Sequence, residues 1–362
     1  MGRHKHPTRI VWGPNGPDFW KDYESKTISE RRKFLKKNGF NKRNVPHCID
    51  CRHPFYHCVC HDVEWQARKK LKVDHLYAPF EEKLSKSLAL KDQVMAAHKG
   101  KKIWLAYSGG IDSECCARLF KDEIKNGEVR VMWNDTLVEL PETRKTVENF
   151  EKEFGIKVLR LTPIGWSFKK VVETYGLPMY ARSAYFDKRL ATERCCFHLK
   201  KEPPKHMTEK IEVLIMGLRI KESRYRAKAI FRYGDHYYSK STSQWRVYPV
   251  AYWTTDDAWA YQAKEKFPYN PIYDYTNMGK KGMFKLSDGR IYQIRTGCWS
   301  CPQGIRLGYL EWLKAYYPRY HHALLFNFGL LPRLVELRKT ELRFRKAHIC
   351  GLDDEEDVKS NI

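Results

Sequence analysis

Between residues 100 and 220, short apolar runs alternate with longer stretches whose apolar positions recur at helical spacing. Ile103-Trp104-Leu105-Ala106-Tyr107 predicts a buried strand, followed by the loop Ser108-Gly109-Gly110 and a helix over about 112–125. Val129-Arg130-Val131-Met132-Trp133 predicts the next strand, and a helix opens near Pro141 with Glu142 in its first turn. Proline has no N–H to lose there, and an acid meets the positive end of the helix dipole. Lys157 to Leu161 and Val213 to Gly217 supply two further strands. Strands alternating with helices predict an α/β fold, a doubly wound and mostly parallel sheet with crossover helices.

The flanks read differently. A polar stretch over 79–99 places Leu84, Leu88, Leu90, Val94 and Met95 at helical spacing. Residues 226–250 turn β-like around Gly234-Asp235, which predicts a hairpin insertion. Thr254-Thr255-Asp256-Asp257 predicts a capped helix start. From about 308 to 347 the chain reads as a long basic, amphipathic helical segment. No internal repeat or low-complexity tract appears. The expected division is a basic N-terminal arm (1–46), a Cys/His knot (47–62), the sheet domain (79–265) and a helical C-terminal region (266–362).

Charge narrows the partners. Among 362 residues, 67 Lys and Arg against 43 Asp and Glu leave a formal net charge of +24. Such an excess suits a polyanion, DNA or RNA, because Lys and Arg release counterions from a phosphate backbone. A merely basic surface is the alternative. The arm carries Trp12 and Trp20 among its charges and a short helix expected near 27–37. No apolar run approaches the roughly 18 residues of a membrane span. The basic, polar beginning lacks the apolar core of a secretory signal, so a cytoplasmic protein is expected, away from membranes. Nothing in the sequence sets its oligomeric state.

Eleven cysteines, an odd number gathered in close pairs, point to metal or iron–sulfur ligation rather than disulfides. His47-Cys48-x-x-Cys51 and His57-Cys58-x-Cys60-His61 lie in a segment too short and polar to build a core, which one Zn2+ could fold. Cys48, Cys51, Cys58 and Cys60 are the simplest ligand set, and His53, His57 or His61 could replace one of them; a loose thiol cluster is the alternative. Arg194-Cys195-Cys196 and Gly297-Cys298-Trp299-Ser300-Cys301-Pro302 offer four more thiolates, suited to tetrahedral zinc or a [4Fe–4S] cluster. Cys115 and Cys116, on the helix after the first strand, read as small core residues.

Ser108-Gly109-Gly110-Ile111-Asp112-Ser113, between a strand and a helix, can be a tight turn or an anion site. Glycines let the backbone approach a phosphate, and the helix N–H groups and dipole hold it. The two serines add hydroxyls, and Asp112 can cap the helix or help place Mg2+. The segment is neither a Walker loop nor a G-x-G-x-x-G turn.

Tyr107 to Ser113 resembles the pyrophosphate loop of the adenine nucleotide α-hydrolase-like superfamily, and within it the phosphoadenosine phosphosulfate (PAPS) reductase family. Asn134-Asp135-Thr136 with Leu140-Pro141-Glu142-Thr143, then Gly217-Leu218-Arg219-Ile220-Lys221-Glu222-Ser223-Arg224, resemble later segments of that family in its order. Pro249-Val250 through Trp253-Thr254, and Pro268-Tyr269-Asn270-Pro271-Ile272-Tyr273-Asp274, resemble its C-terminal half. The resemblance covers roughly 100–305. It implies a nucleotide at the C-terminal ends of the strands and arginines at its phosphate or sulfate end. It also implies a [4Fe–4S] cluster on Cys195, Cys196, Cys298 and Cys301, as in adenylyl-sulfate (APS) reductases and the related ATP pyrophosphatases of DNA phosphorothioation.

Two chemistries follow. In one, ATP binds with Mg2+, pyrophosphate leaves after attack at the α-phosphorus, and sulfur is transferred to nucleic acid. There Asp112 and Asp135 position metal or substrate, Arg219 and Arg224 stabilise phosphate charge, and the resemblance implies a cysteine desulfurase as donor. In the other, APS or PAPS is reduced to sulfite through a C-terminal cysteine. Ile349-Cys350-Gly351-Leu352-Asp353 departs from that family's Glu-Cys-Gly-Leu-His, and its acidic flank would raise the thiol pKa. A non-catalytic nucleotide sensor is the third possibility.

Overall fold

The computed structural model describes residues 28–38, 74–178, 189–222, 224–332 and 334–335, in two units divided between Tyr77 and Ala78. In the first unit, helix α1 (Ile28–Lys37) lies where the arm was expected to be helical. Its acid falls in the first turn and its lysines in the last, each at the favourable end of the dipole. The expected zinc ligands Cys48, Cys51, Cys58 and Cys60 lie outside the described residues, as does Cys350.

The second unit begins with α2 (Phe80–Ala97) and is built on a six-stranded sheet in the order β3-β2-β1-β4-β6-β5. The strands are β1 (Ile103–Ala106), β2 (Val129–Asn134), β3 (Leu159–Leu161), β4 (Val213–Met216), β5 (His236–Ser239) and β6 (Gln244–Val247). All neighbours are parallel except β5 and β6. The doubly wound expectation is met. Ile103 stands opposite both Val129 and Val213, so alternate residues of three central strands share a face. Leu105, Val131 and Ile215 enter the main core with Val147, Phe150 and Phe154 of α5 (Pro141–Phe154). Trp104, Met132, Leu161 and Leu214 form a smaller cluster on the other face. Burial on both faces explains why β1 and β4 read as continuous apolar runs.

Three expectations change. The helix after the phosphate loop is two pieces, α3 (Ile111–Leu119) and α4 (Lys121–Lys125), separated at the fully buried Phe120. Over 226–250, α8 (Arg224–Tyr233) fills the first part, following α6 (Phe168–Tyr175) and α7 (Arg189–Cys196). Gly234, at φ +91°, lies just past that helix rather than at a hairpin tip. The turn lies near Ser243, and β6 pairs with β4, so the hairpin widens the main sheet instead of standing apart from it.

The C-terminal segment is likewise not one helix. After α9 (Thr255–Glu265) and the ribbon β7 (Met283–Lys285) and β8 (Ile291–Gln293) come α10 (Tyr309–Tyr316) and α11 (Pro318–His322). Pro318 supplies no N–H to the preceding turn, which ends α10. Leu310, Trp312, Leu313, Leu324 and Leu325 join the same core as the sheet helices, so the described residues after Lys266 share the core of the sheet domain. Thr254 and Asp257 form the expected capping box, and Asp257 also pairs with buried Lys83 at 2.7 Å, tying α9 to α2. No described helix is long and apolar enough to cross a membrane.

Candidate active site

Strand β1 has β2 on one side and β4 on the other, with connections leaving in opposite directions, and a crevice opens where they part. A cavity of about 420 Å³ lies there, within the range of small-molecule sites. Ser108, Gly110 and Ser113 line it on one side and Gly217, Arg219 and Glu222 on another.

The loop after β1 is held by its own serines. Ser113 Oγ donates to Gly110 O at 2.8 Å and accepts from Ser108 N at 3.1 Å, and the two serine hydroxyls meet at 3.1 Å. Gly109 is left-handed at φ +66°, and its carbonyl accepts from Asn270 Nδ2 at 3.1 Å. Ile111 N donates to the buried Tyr273 hydroxyl at 3.1 Å. Asn270 and Tyr273 come from the Pro268–Asp274 segment that carried part of the resemblance, and they brace the loop from outside. A Cβ on Gly217 would lie 2.6 Å from Asp112 O, so the exit of β4 can touch the first turn of α3 only as glycine.

Asp112 Oδ1 stands 2.8 Å from Arg219 Nε, an ion pair without the alignment of a hydrogen bond. Burial pushes the Asp112 carboxyl above its ordinary range, and Arg219 opposes that rise. Arg219 also donates from Nη1 to Thr255 Oγ1 at 3.1 Å, and its backbone N–H donates to Glu222 Oε2 at 2.9 Å. Arg226, which pairs with Glu222, lies on the same wall. Arg224 opens α8, and its side chain lies outside the described set. Asp135 does not line the cavity. Its Oδ1 accepts from Leu137 N at 2.9 Å and Arg144 Nη2 at 3.3 Å, which ties it to the turn after β2.

Cys195 and Cys196 end α7, and Cys298 and Cys301 sit in the loop after β8; all four are half-buried and none is in a disulfide. They share one neighbourhood. Burial raises the Cys195 thiol pKa, and Cys196, Cys298 and Cys301 add to the rise. Cys298 is pushed up to about 12 by burial, against the pull of Lys200. Lys200 in turn is raised, first by the charge of Cys298 and also by Glu139. Glu139 and Cys298 form a backbone bridge, and Trp299 N donates to Val138 O at 2.9 Å, which stitches this loop to the turn after β2. Among the described residues no three His, Cys, Asp or Glu side chains converge tightly enough for a single metal ion. A four-iron cluster spreads its thiolates over four corners, and the all-thiol donor set fits such a group.

Lys200, Glu139 and Gly297 also line the cavity, so the phosphate loop and the surroundings of the thiols face one space. The sequence reading missed Lys200 and Glu139. The one available signal was Lys200 lying a helical turn beyond the Cys195-Cys196 dyad.

The phosphoadenosine phosphosulfate reductase domain matches residues 102–304, and the chain belongs to that family. An uncharacterized protein of Methanocaldococcus jannaschii is 31% identical over 223 residues, 60% of this chain and 40% of that one. The adenosine 5′-phosphosulfate reductase of Allochromatium vinosum is 27% identical over 153 residues, 42% of this chain and 56% of that one. The chain thus spans about half the length of these two relatives. A phosphate complex of phosphoadenylyl-sulfate reductase from Candida auris aligns at 16% identity and a TM-score of 0.37, covering 57% of this chain and 89% of that one.

Proposed function

We propose that the chain binds ATP as its magnesium complex on the 108–113 loop, releases pyrophosphate and supports sulfur transfer to a nucleic-acid acceptor. One observation carries this reading: a single cavity runs from the phosphate loop to Lys200 and Glu139, the two residues that border Cys298.

Loop N–H groups, the two serine hydroxyls and the N-terminus of α3 receive phosphate oxygens. Arg219, with Arg226 on the same wall, stabilises the charge that grows on the α-phosphoryl group as an acceptor oxygen attacks it. The bond to the bridging oxygen breaks, and pyrophosphate departs with its electron pair. The adenylated oxygen is then a leaving group that sulfur can replace. Asp112 orients Arg219, and Asp135 shapes the neighbouring turn. Cys195, Cys196, Cys298 and Cys301 would hold a [4Fe–4S] cluster, which would supply a redox centre beside the cavity. The net charge of +24 supports a nucleic-acid acceptor, and a cysteine desulfurase, whose persulfide sulfur reaches the acceptor with two electrons from a thiol reductant, is the matching class of sulfur donor.

A second reading, reduction of adenosine 5′-phosphosulfate to sulfite, is favoured by the name of the Allochromatium vinosum relative. Full-length chain purified without oxygen separates them. Pyrophosphate released from ATP, increased by DNA or RNA and retained in Cys350→Ser, is expected. Sulfite formed from the sulfonucleotide with a thiol reductant, lost in Cys350→Ser and without pyrophosphate release from ATP, overturns the first reading.

A further inference from the structure

Beside the thiols, Trp166, Tyr175 and His198 present three nearly parallel rings. Trp166 lies 3.7 Å from His198 at 16° and 5.7 Å from Tyr175 at 19°, centroid to centroid. Tyr175 and His198 lie 6.0 Å apart at 11°. Trp166 precedes α6, Tyr175 ends it, and His198 follows the Cys195-Cys196 dyad. His198 is buried and held through Nδ1 by Glu202 Oε2 at 2.8 Å, while its Nε2 has no partner among the described residues. Trp166 and Tyr175 stay partly exposed.

Cations surround these rings. Lys170 Nζ sits over Trp166 at 5.0 Å, Arg194 over Tyr175 at 5.9 Å, and Lys205 over neighbouring Phe197 at 4.6 Å. Lys169 and Lys201 are exposed nearby in the sequence. The turn that carries His198 also carries Lys200, whose carbonyl accepts from Asn134 Nδ2 at 3.2 Å and which lines the nucleotide cavity. The ring surface and the cavity therefore share one turn.

We propose that this surface docks a single-stranded segment of the nucleic-acid acceptor, with a base stacked on Trp166 and Tyr175 and phosphates on Lys169, Lys170, Arg194 and Lys205. The inference rests on the nucleic-acid reading given above. Aromatic rings interleaved with cations match the two chemistries of a single strand, base faces and phosphates. A duplex hides its base faces and offers only phosphates. Lys170, now over the Trp166 ring and donating to Gly165 O at 2.7 Å, exchanges that position for a phosphate when a base arrives.

Fluorescence anisotropy of the full-length chain with labelled oligothymidylate, and with a duplex, tests the surface. Trp166→Ala is expected to weaken single-strand binding roughly tenfold, Trp166→Phe to retain most of it, and duplex binding to change little. Lys169→Glu with Lys170→Glu is expected to flatten the salt dependence of single-strand binding by about 1.4 in log–log slope, two phosphates' worth. Pyrophosphate release from ATP without nucleic acid should be unchanged in all three. Wild-type single-strand affinity in both Trp166→Ala and the lysine pair overturns this surface and leaves the nucleic-acid reading standing. A wild-type chain that binds neither probe overturns that reading and this inference with it.

Discussion

Gly217 and Asp112 meet backbone to backbone: a Cβ built on Gly217 would lie 2.6 Å from the carbonyl oxygen of Asp112 and 2.8 Å from the amide of Ser113. The contact joins the exit of β4 to the first turn of α3, and it sets the width of the crevice in which Arg219 faces the phosphate loop. Backbone on both sides leaves no flexible side chain to yield. Gly217→Ala is expected to destabilise the chain by about 1–3 kcal/mol and to weaken nucleotide binding more than that loss of stability explains. Urea unfolding and calorimetric titration with ATP read the two effects separately.

Asp112 and Arg219 form a buried pair at 2.8 Å, with side chains 18% and 7% exposed. Asp112→Asn leaves the guanidinium buried without its counter-charge, a change that costs roughly 3–5 kcal/mol for well-buried pairs. Pyrophosphate release should fall by about a hundredfold or more, because Arg219 loses its orientation. Asp112→Glu should restore part of the stability and little of the rate. Equal rates in Asp112→Asn and the wild type would remove Asp112 from the site.

His98, the residue after α2, and His236, which opens β5, face each other with Nε2 atoms 2.9 Å apart. Lys101 Nζ reaches His98 Nδ1 at 3.2 Å, and a lysine only donates, so His98 carries its proton on Nε2 and donates to His236. Burial, helped by Lys101 and His236, pushes His98 down to about 4, and burial also lowers His236, against the pull of Asp235. Folding therefore holds both rings neutral. Their contribution to stability is complete above the ordinary imidazole value of 6.5 and is lost as pH falls towards about 4. The thermal midpoint should drop over that window, and His98→Gln should flatten the drop.

Cys298 packs with Thr136 Oγ1 at 3.3 Å and is bridged through its backbone to Glu139. Cys298→Ser is expected to abolish iron retention and visible absorbance after anaerobic reconstitution, while ATP binding stays within about twofold, since no cavity-lining loop donor is altered. Iron content and absorbance check the first half, and calorimetry the second. Full iron occupancy in Cys298→Ser would show that the cluster has other ligands.

Much of this protein was legible along the chain because the determining interactions are local. Apolar runs marked β1 and β4, since strands buried on both faces carry no polar alternation, and β2 and β3 showed as apolar runs broken only by Arg130 and Arg160. Thr254 and Asp257 announced the start of α9, because a capping box closes within four residues. The phosphate loop showed itself by two glycines between strand and helix.

What the sequence did not reveal depends on partners far along the chain. Whether Gly234 marked a hairpin tip or followed a helix turned on β6 finding β4, and the C-terminal segment broke at Pro318 to pack into the sheet domain's core. Candidate acids looked alike in sequence, yet Asp112 faces Arg219 in the cavity while Asp135 is engaged by Leu137 N and Arg144 outside it. Glu139 gave no sequence signal and Lys200 only its place a turn beyond the Cys195-Cys196 dyad, because their chemistry comes from Cys298, 159 and 98 residues further on. Sequence by itself determined the parallel sheet, the phosphate loop and the cysteine inventory. Only the tertiary structure decided that the loop and the thiol surroundings open on one cavity, because strand order, a long-range property, brings the ends of β1, β2 and β4 side by side.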